Sequence, residues 1–103
     1  TAIVDYNKVQ LDGHVRDIMD LQPLAAKWKS FGWHVLEIDG HDIVAIQDAF
    51  ARAREIEDQP TVIVANTVKG KGVSFMEDSP AWHGKTPNEE ELDMALAEVA
   101  GGL

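Results

Sequence analysis

The segment after the first apolar run of the chain is rich in oxygen-bearing side chains. The run Ala2-Ile3-Val4 predicts a buried strand, and Asp5 and Asn7 follow it directly. In open α/β sheets, ligands bind beyond the carboxyl ends of the strands. Amide and carbonyl oxygens at such a point suit a hard cation such as Mg²⁺, which takes its remaining oxygens from phosphate and water. Asp and Asn also end many strands with local turn hydrogen bonds, so the residues alone leave both interpretations open.

Two further stretches could take part in phosphate or proton chemistry. The glycines of Lys69-Gly70-Lys71-Gly72 allow the backbone to approach a phosphate, and the lysines supply positive charge. This stretch lacks the spacing of the known phosphate-binding motifs, so a flexible surface turn is an equal interpretation. Of the histidines, His83 is placed best, because it lies in a loop beyond a predicted strand. Its imidazole could there transfer protons or bind a phosphate oxygen.

Hydrophobic periodicity predicts the elements that must position these residues. Strands are expected at 2–4, 33–38 and 61–68, and the last should be central because it is β-branched and almost wholly apolar. Three helices alternate with them, which predicts an α/β fold of parallel βαβ units. Three strands and three helices make part of a doubly wound parallel sheet, so residues 1–103 are expected to form a single partial domain. The buried stripes predicted for the helices are Leu21, Leu24, Ala25, Trp28 and Phe31; Ile43, Ile46, Phe50, Ala53 and Ile56; and Leu92, Ala95, Leu96 and Val99.

Local signals predict where these helices begin and end. Gly32 should end the first helix, and Asp42 should cap the N-terminus of the second. For the third helix, Thr86 and Glu89 have the spacing of a capping box, with Pro87 at the first helical position.

Composition excludes several classes of protein. The chain has 103 residues and a formal net charge of −9, which opposes binding to nucleic acid. It contains no cysteine, which excludes thiol chemistry and is typical of a cytoplasmic protein. No apolar run is long enough to span a membrane. The first strand is as apolar as one that is paired on both edges, so we expect the chain to be a piece of a longer polypeptide.

Five segments in this order resemble transketolase. They are Asp5–Gly13, Phe31–Val35, Ile38–Asp42, Thr67–Gly72 and Trp82–Gly84. More narrowly, the chain is similar to the C-terminal portion of the N-terminal, cofactor-binding half of transketolase. In some members that half is a separate polypeptide.

The resemblance implies a thiamine diphosphate-binding fold and an enzyme that transfers a two-carbon ketol unit between sugar phosphates. It implies that Asn7 binds Mg²⁺ through its side-chain oxygen and Val9 through its backbone carbonyl. Leu11 would lie against the thiamine rings, and Lys69 would border the cofactor. His83 would be the catalytic residue that reaches both the diphosphate and the donor substrate. The assignment requires Asn7 and His83 to converge on one pocket.

The departures from the family pattern matter equally. The Gly-Asp-Gly segment with its metal-binding aspartate is absent, as is the pyrimidine-binding domain, which a partner subunit or another part of the chain would supply. An oligomer is therefore expected, and the isolated chain is expected to be inactive. Two alternatives stay open: an enzyme similar to 1-deoxyxylulose-5-phosphate synthase, and a non-catalytic structural half-domain.

Overall fold

The computed structural model describes residues 1–102, which divide into two compact units. The first unit comprises residues 1–6 and 21–67, and the second comprises residues 7–20 and those from 68 onward. The elements in chain order are β1 (Ala2–Tyr6), β2 (Val9–Gln10), β3 (Gly13–His14), α1 (Val15–Ile18), α2 (Leu24–Ser30), β4 (His34–Asp39), α3 (Ile43–Glu55), β5 (Thr61–Asn66), a 3₁₀ helix (Pro80–Trp82) and α4 (Glu89–Gly101). Every helix within residues 1–102 is too short or too polar to cross a membrane.

The first unit contains a parallel sheet in the order β1-β5-β4. The prediction that the third long strand is central is confirmed, because β5 pairs with β1 on one side and with β4 on the other. Val62 and Val64 are its fully buried side chains. A β-branched, uncharged run favours this position, since both faces and both edges of a central strand are covered.

The two faces of this sheet are covered by different helices. Leu36 and Ile63 are paired in register and form a buried cluster with Ala49 and Ala53 of α3. Because side chains alternate along a strand, Val64 points to the opposite face, where it lines a cavity with residues of α2. The predicted α/β class with parallel βαβ units is therefore confirmed.

Strand β1 is less buried within residues 1–102 than the predicted buried strand. Its pairing in the region from residue 1 to 102 is with β5 alone, and the side chain of Ile3 is 59% exposed. It is an edge strand with alternating burial rather than a strand covered on both faces.

Helix α2 is shorter than its predicted stripe. Phe31 is 81% exposed and caps the helix C-terminus, so its assignment to the buried stripe was wrong. Gly32 adopts a φ of 81° and ends the helix as predicted. The amide of Trp33 donates to the carbonyl of Trp28 at 3.2 Å, which completes a Schellman motif.

Helix α3 begins as predicted, and its predicted buried stripe is confirmed at Ala53 but not at every position. The Asp42 side chain accepts hydrogen bonds from the amides of Val44 and Ala45 at 2.8 and 3.2 Å. Ile43 and Phe50 of the predicted stripe are 65% and 37% exposed, so their assignment to the core was wrong, while Ile46 and Ile56 are half-buried. The buried residues are Ala49 and Ala53, one turn apart. Small side chains at this spacing allow the helix to approach the sheet closely.

Helix α4 starts two residues later than the sequence predicts. The capping box is Asn88 with Glu91, not Thr86 with Glu89: the Asn88 side chain accepts from the Glu91 amide at 2.8 Å, and the Glu91 carboxylate accepts from the Asn88 amide at 2.9 Å. Pro87 precedes the cap and is not helical. Both spacings satisfy the motif, and asparagine caps better than threonine.

The predicted apolar stripe of α4 is not buried. Leu92, Leu96 and Val99 are 45%, 58% and 48% exposed, so their assignment to the core was wrong.

Candidate functional site

The carboxyl ends of the three parallel strands meet at one edge of the first unit. Tyr6, Asn66 and Asp39 are in register across this edge. The amide of Gly40 donates to the Asn66 carbonyl at 2.8 Å, and a Cβ on Gly40 would lie 2.5 Å from Thr67 Cγ2. The chain therefore crosses the strand ends so closely that only glycine fits there.

Two cavities border the sheet of the first unit. One, of about 340 Å³, lies on the α2 face near the strand ends, where Gln22 Nε2 donates to the Tyr6 hydroxyl at 2.9 Å. The other, of about 240 Å³, lies on the α3 face and is lined by apolar side chains such as Ile3 and Phe50. Neither cavity is lined by a residue of the predicted site.

Asn7 begins the second unit, and its side chain shapes the local backbone. Its Oδ1 accepts a hydrogen bond from the Val9 amide at 3.0 Å, and the residue is half-buried. Lys8 between them has a φ of 64°, and its carbonyl accepts from the Val15 amide at 2.8 Å. An amide oxygen has two lone pairs, so the bond to Val9 leaves Asn7 with acceptor capacity for a cation.

Val9 and Leu11 lie on an antiparallel hairpin formed by β2 and β3. Val9 is opposite His14 in this ladder. Leu11 lies in the turn at the hairpin tip and is 63% exposed. The sequence analysis missed this hairpin because two-residue strands carry no readable alternation.

Lys69 begins a loop that is closed on itself, which we call the Lys69–Asp78 loop. The Lys69 carbonyl accepts from the Asp78 amide at 2.9 Å. Val73 inside the loop is 9% exposed, and Gly70 has a φ of 73°. The stretch that could have been a flexible turn is thus an internally bonded loop.

His83 is exposed, while its backbone is held in place. Its amide donates to the Pro80 carbonyl at 3.0 Å at the end of the 3₁₀ helix. The neighbouring Trp82 donates from its indole nitrogen to the Phe75 carbonyl at 3.0 Å and packs on the Phe75 ring. The Lys85 ammonium lies 4.0 Å from the centroid of the Trp82 ring.

All five predicted site residues belong to the second unit, and some of their segments are linked. The hairpin meets the Lys69–Asp78 loop where His14 Nδ1 lies 3.7 Å from Asp78 Oδ1. Sequence reasoning missed this contact, because the φ of 52° at Asp78 has no sequence signal beyond the tolerance of Asp for that region. The convergence of Asn7 and His83 on one pocket stays a prediction.

The residues present fit a hard cation in type. Between residues 1 and 102, no three His, Cys, Asp or Glu side chains are grouped to hold a metal ion. The oxygens predicted to bind one are the amide oxygen of Asn7 and the carbonyl of Val9, which are ligands that Mg²⁺ accepts. Such a cation would still need most of its oxygens from elsewhere.

Two carboxylates in α4 have perturbed acidity. Hydrogen bonds donated by the backbone amide and then the hydroxyl of Ser74 lower the pKa of Glu98. A hydrogen bond from the Lys85 side chain, followed by one from the Asn88 amide, lowers the pKa of Glu91. These bonds connect α4 with the segments that precede it in the second unit.

Comparison with known proteins identifies one family across nearly the whole chain. The family described as "Transketolase, thiamine diphosphate binding domain" matches residues 1–100. The 6-deoxy-6-sulfo-D-fructose transketolase subunit SqwG of Clostridium sp. is 45% identical over 98 residues, which are 95% of this chain and 36% of that protein. An apulose-4-phosphate transketolase subunit of Actinobacillus succinogenes is 42% identical over 97 residues, 94% of this chain and 35% of that protein. The chain thus spans about one third of the length of these relatives.

Solved structures agree with this result. Transketolase from Campylobacter jejuni superposes with a TM-score of 0.85 at 28% identity, covering 95% of this chain and 15% of that one. A transketolase from Pichia stipitis gives 0.86 at 27% identity, covering 96% of this chain and 15% of that one. The matched family and these relatives do not favour the alternative of a 1-deoxyxylulose-5-phosphate synthase.

Proposed function

The chain belongs to the transketolase family as its thiamine diphosphate-binding domain, and from this premise we propose that it forms part of a transketolase that transfers a two-carbon ketol unit between sugar phosphates. The observation that carries the proposal is the family match over residues 1–100. In the whole enzyme, residues 1–103 are one part of a larger domain.

Asn7 and Val9 are the proposed Mg²⁺ ligands of this chain. The spare lone pair of the Asn7 amide oxygen and the carbonyl of Val9 supply two neutral oxygens, and the diphosphate, water and an aspartate outside these residues complete the shell. The charge balance supports a metal: a chain with a net charge of −9 binds an anionic cofactor poorly unless a cation neutralises the diphosphate.

Leu11 and Lys69 are proposed to contact the cofactor. The exposed side chain of Leu11 offers an apolar surface for the thiamine rings, and Lys69 would border the cofactor from the start of a loop closed by the bond to Asp78. Bound thiamine diphosphate supplies the carbanion and the electron sink, while the protein positions it.

His83 is proposed to bind the diphosphate and to move protons on the hydroxyl groups of the donor substrate. An imidazole changes its charge near neutral pH, which suits this task. Its backbone bond to Pro80 and the anchored neighbour Trp82 hold the base of the side chain, while the imidazole itself is exposed and free to meet a substrate.

A partner is proposed to complete the active site. The pyrimidine-binding domain would come from a separate polypeptide or from another part of a longer chain, which makes the working enzyme an oligomer. The relatives named as subunits support this arrangement. A cytoplasmic location is part of the same proposal.

The test is ketol transfer from a ketose phosphate to an aldose phosphate by the protein that carries this chain, combined with its pyrimidine-binding partner. We expect activity that requires both thiamine diphosphate and Mg²⁺, and none from the isolated chain. Asn7→Ala should weaken Mg²⁺-dependent cofactor binding about tenfold or more, measured by calorimetric titration. His83→Ala should lower kcat by about 10²-fold or more.

His41→Ala is the matched control, because His41 is an exposed histidine in the first unit and has no proposed role. It should leave kcat and cofactor binding unchanged. Turnover by the complete assembly without thiamine diphosphate, or full activity of His83→Ala, would refute the proposed function.

A further inference from the structure

The contact between His14 and Asp78 joins the two segments that carry most of the predicted cofactor ligands. His14 lies opposite Val9 in the hairpin ladder, and its Nδ1 is 3.7 Å from Asp78 Oδ1. The side chain of His14 is 35% exposed and that of Asp78 is 62% exposed. Asp78 in turn ends the Lys69–Asp78 loop through its bond to the Lys69 carbonyl.

Asp78 is held in a left-handed backbone conformation. Its φ of 52° lies in the left-handed region, which costs an ordinary residue free energy but is tolerated by Asp and Asn. Its amide is bonded to Lys69 at 2.9 Å. The backbone on which the carboxylate stands is thus fixed by the loop itself.

The hairpin has fewer anchors of its own. It consists of two strands of two residues each, and a short two-stranded ladder is marginally stable in water. At its base the Val15 amide donates to the Lys8 carbonyl at 2.8 Å, and Val15 is 7% exposed. A side-chain contact to a closed loop therefore adds an anchor to a hairpin that is weakly held by its own ladder.

We propose that Asp78 is a positioning residue: through His14 it holds the β2–β3 hairpin against the Lys69–Asp78 loop, so that the oxygens of Asn7 and Val9 and the side chain of Lys69 keep one arrangement for the cofactor. The inference rests on the proposed function for its consequence in binding. The contact between His14 and Asp78 itself does not require the cofactor.

The experiment uses the full chain and two variants that replace one side chain of the contact while keeping similar shape. Asp78→Asn preserves tolerance of the positive φ, and His14→Gln preserves a polar side chain of similar reach. The first readout is hydrogen exchange of the Val15 amide without cofactor, with the Val73 amide inside the loop as reference. Contacts between exposed polar side chains are weak, so each variant should accelerate exchange at Val15 about two- to fivefold and leave Val73 unchanged.

The double variant decides whether the two residues act through each other. If the contact is the link, the double variant should exchange no faster than the faster single variant. Arg16→Gln is the matched control, since Arg16 makes an ion pair of similar length, 3.6 Å, with its exposed neighbour Asp17. It should leave exchange at Val15 unchanged.

The second readout is calorimetric titration with thiamine diphosphate and Mg²⁺ in the complete assembly. Asp78→Asn should raise the Kd about two- to fivefold while kcat at saturating cofactor stays constant. Unchanged exchange at Val15, multiplying effects in the double variant, or an unchanged Kd would each overturn the inference. Failure of the wild-type assembly to bind the cofactor would instead refute the proposed function. The exchange data would still show whether Asp78 holds the hairpin through His14.

Discussion

Replacing Gly70 by alanine should open the Lys69–Asp78 loop far more than the same change at Gly72. Both glycines have a left-handed φ, 73° and 95°, so both variants acquire backbone strain. A Cβ on Gly70 would lie 2.5 Å from the Met76 carbonyl oxygen and 2.7 Å from its carbon. At Gly72 the corresponding Cβ would meet no atom within 4 Å.

Comparing the two variants separates the cost of backbone strain from the cost of a steric clash. The left-handed conformation costs an alanine about 1–2 kcal/mol, and this is the whole effect expected for Gly72→Ala. Gly70→Ala adds a contact with backbone, which cannot rotate away, at a cost of about 1–3 kcal/mol. The loop in Gly70→Ala should therefore be destabilised by about 2–5 kcal/mol in total.

Hydrogen exchange of the Asp78 amide measures the opening of this loop, because that amide bonds to the Lys69 carbonyl. At about 1.4 kcal/mol for each tenfold change, exchange should accelerate about 5- to 30-fold in Gly72→Ala and by more than about 30-fold in Gly70→Ala. Gly84→Ala is the control, since its Cβ would also meet no atom within 4 Å and its φ is not left-handed. Equal acceleration in the Gly70 and Gly72 variants would show that the close approach to Met76 does not hold the loop.

Three further predictions concern stability. Asn88→Ala should lower the free energy of unfolding by about 1 kcal/mol because it removes the cap of α4, whereas Asn88→Ser should keep most of the stabilisation that the cap provides. Urea unfolding followed by circular dichroism measures both variants, and equal losses of stability would contradict the capping role. The bonds from Ser74 lower the pKa of Glu98 below 4.5, so they stabilise the folded chain above pH 4.5, and this contribution is lost as the pH falls through the lowered pKa. The protection of the Ser74 amide, taken relative to the intrinsic exchange rate at each pH, should fall as the pH drops below 4.5, and this step should be absent in Glu98→Gln. Thr61→Val should leave the melting temperature unchanged or raise it, because the buried Thr61 hydroxyl has no hydrogen-bond partner among residues 1–102; a loss above about 1 kcal/mol would contradict this reasoning.

Structural features that depend on a few neighbouring residues were predicted correctly. The β-branched run predicted at 61–68 is a central strand that ends at Asn66, Gly32 ends a helix, and Asp42 caps one. Each of these depends on a local preference: burial of an uncharged strand, access to positive φ, or a carboxylate facing free amides. The same locality made the five motifs recognisable as those of transketolase.

Predictions that needed a choice between two local options were less reliable. Thr86 and Asn88 both begin sequences with capping-box spacing, and Ala49 competes with Phe50 for the buried face of α3. The choice depends on how closely the helix approaches the sheet and where the preceding loop ends. Neither quantity is a property of the helix sequence.

By itself, the sequence determined the order of the three long strands and the three longer helices, the class of fold and the family, because periodicity, caps and motif order depend on neighbouring residues. Only the tertiary structure decided which apolar side chains are buried, that the Lys69–Asp78 loop is closed, and that His14 meets Asp78. Those features come from contacts between residues far apart in the chain, whose free energies depend on geometry that no local pattern encodes.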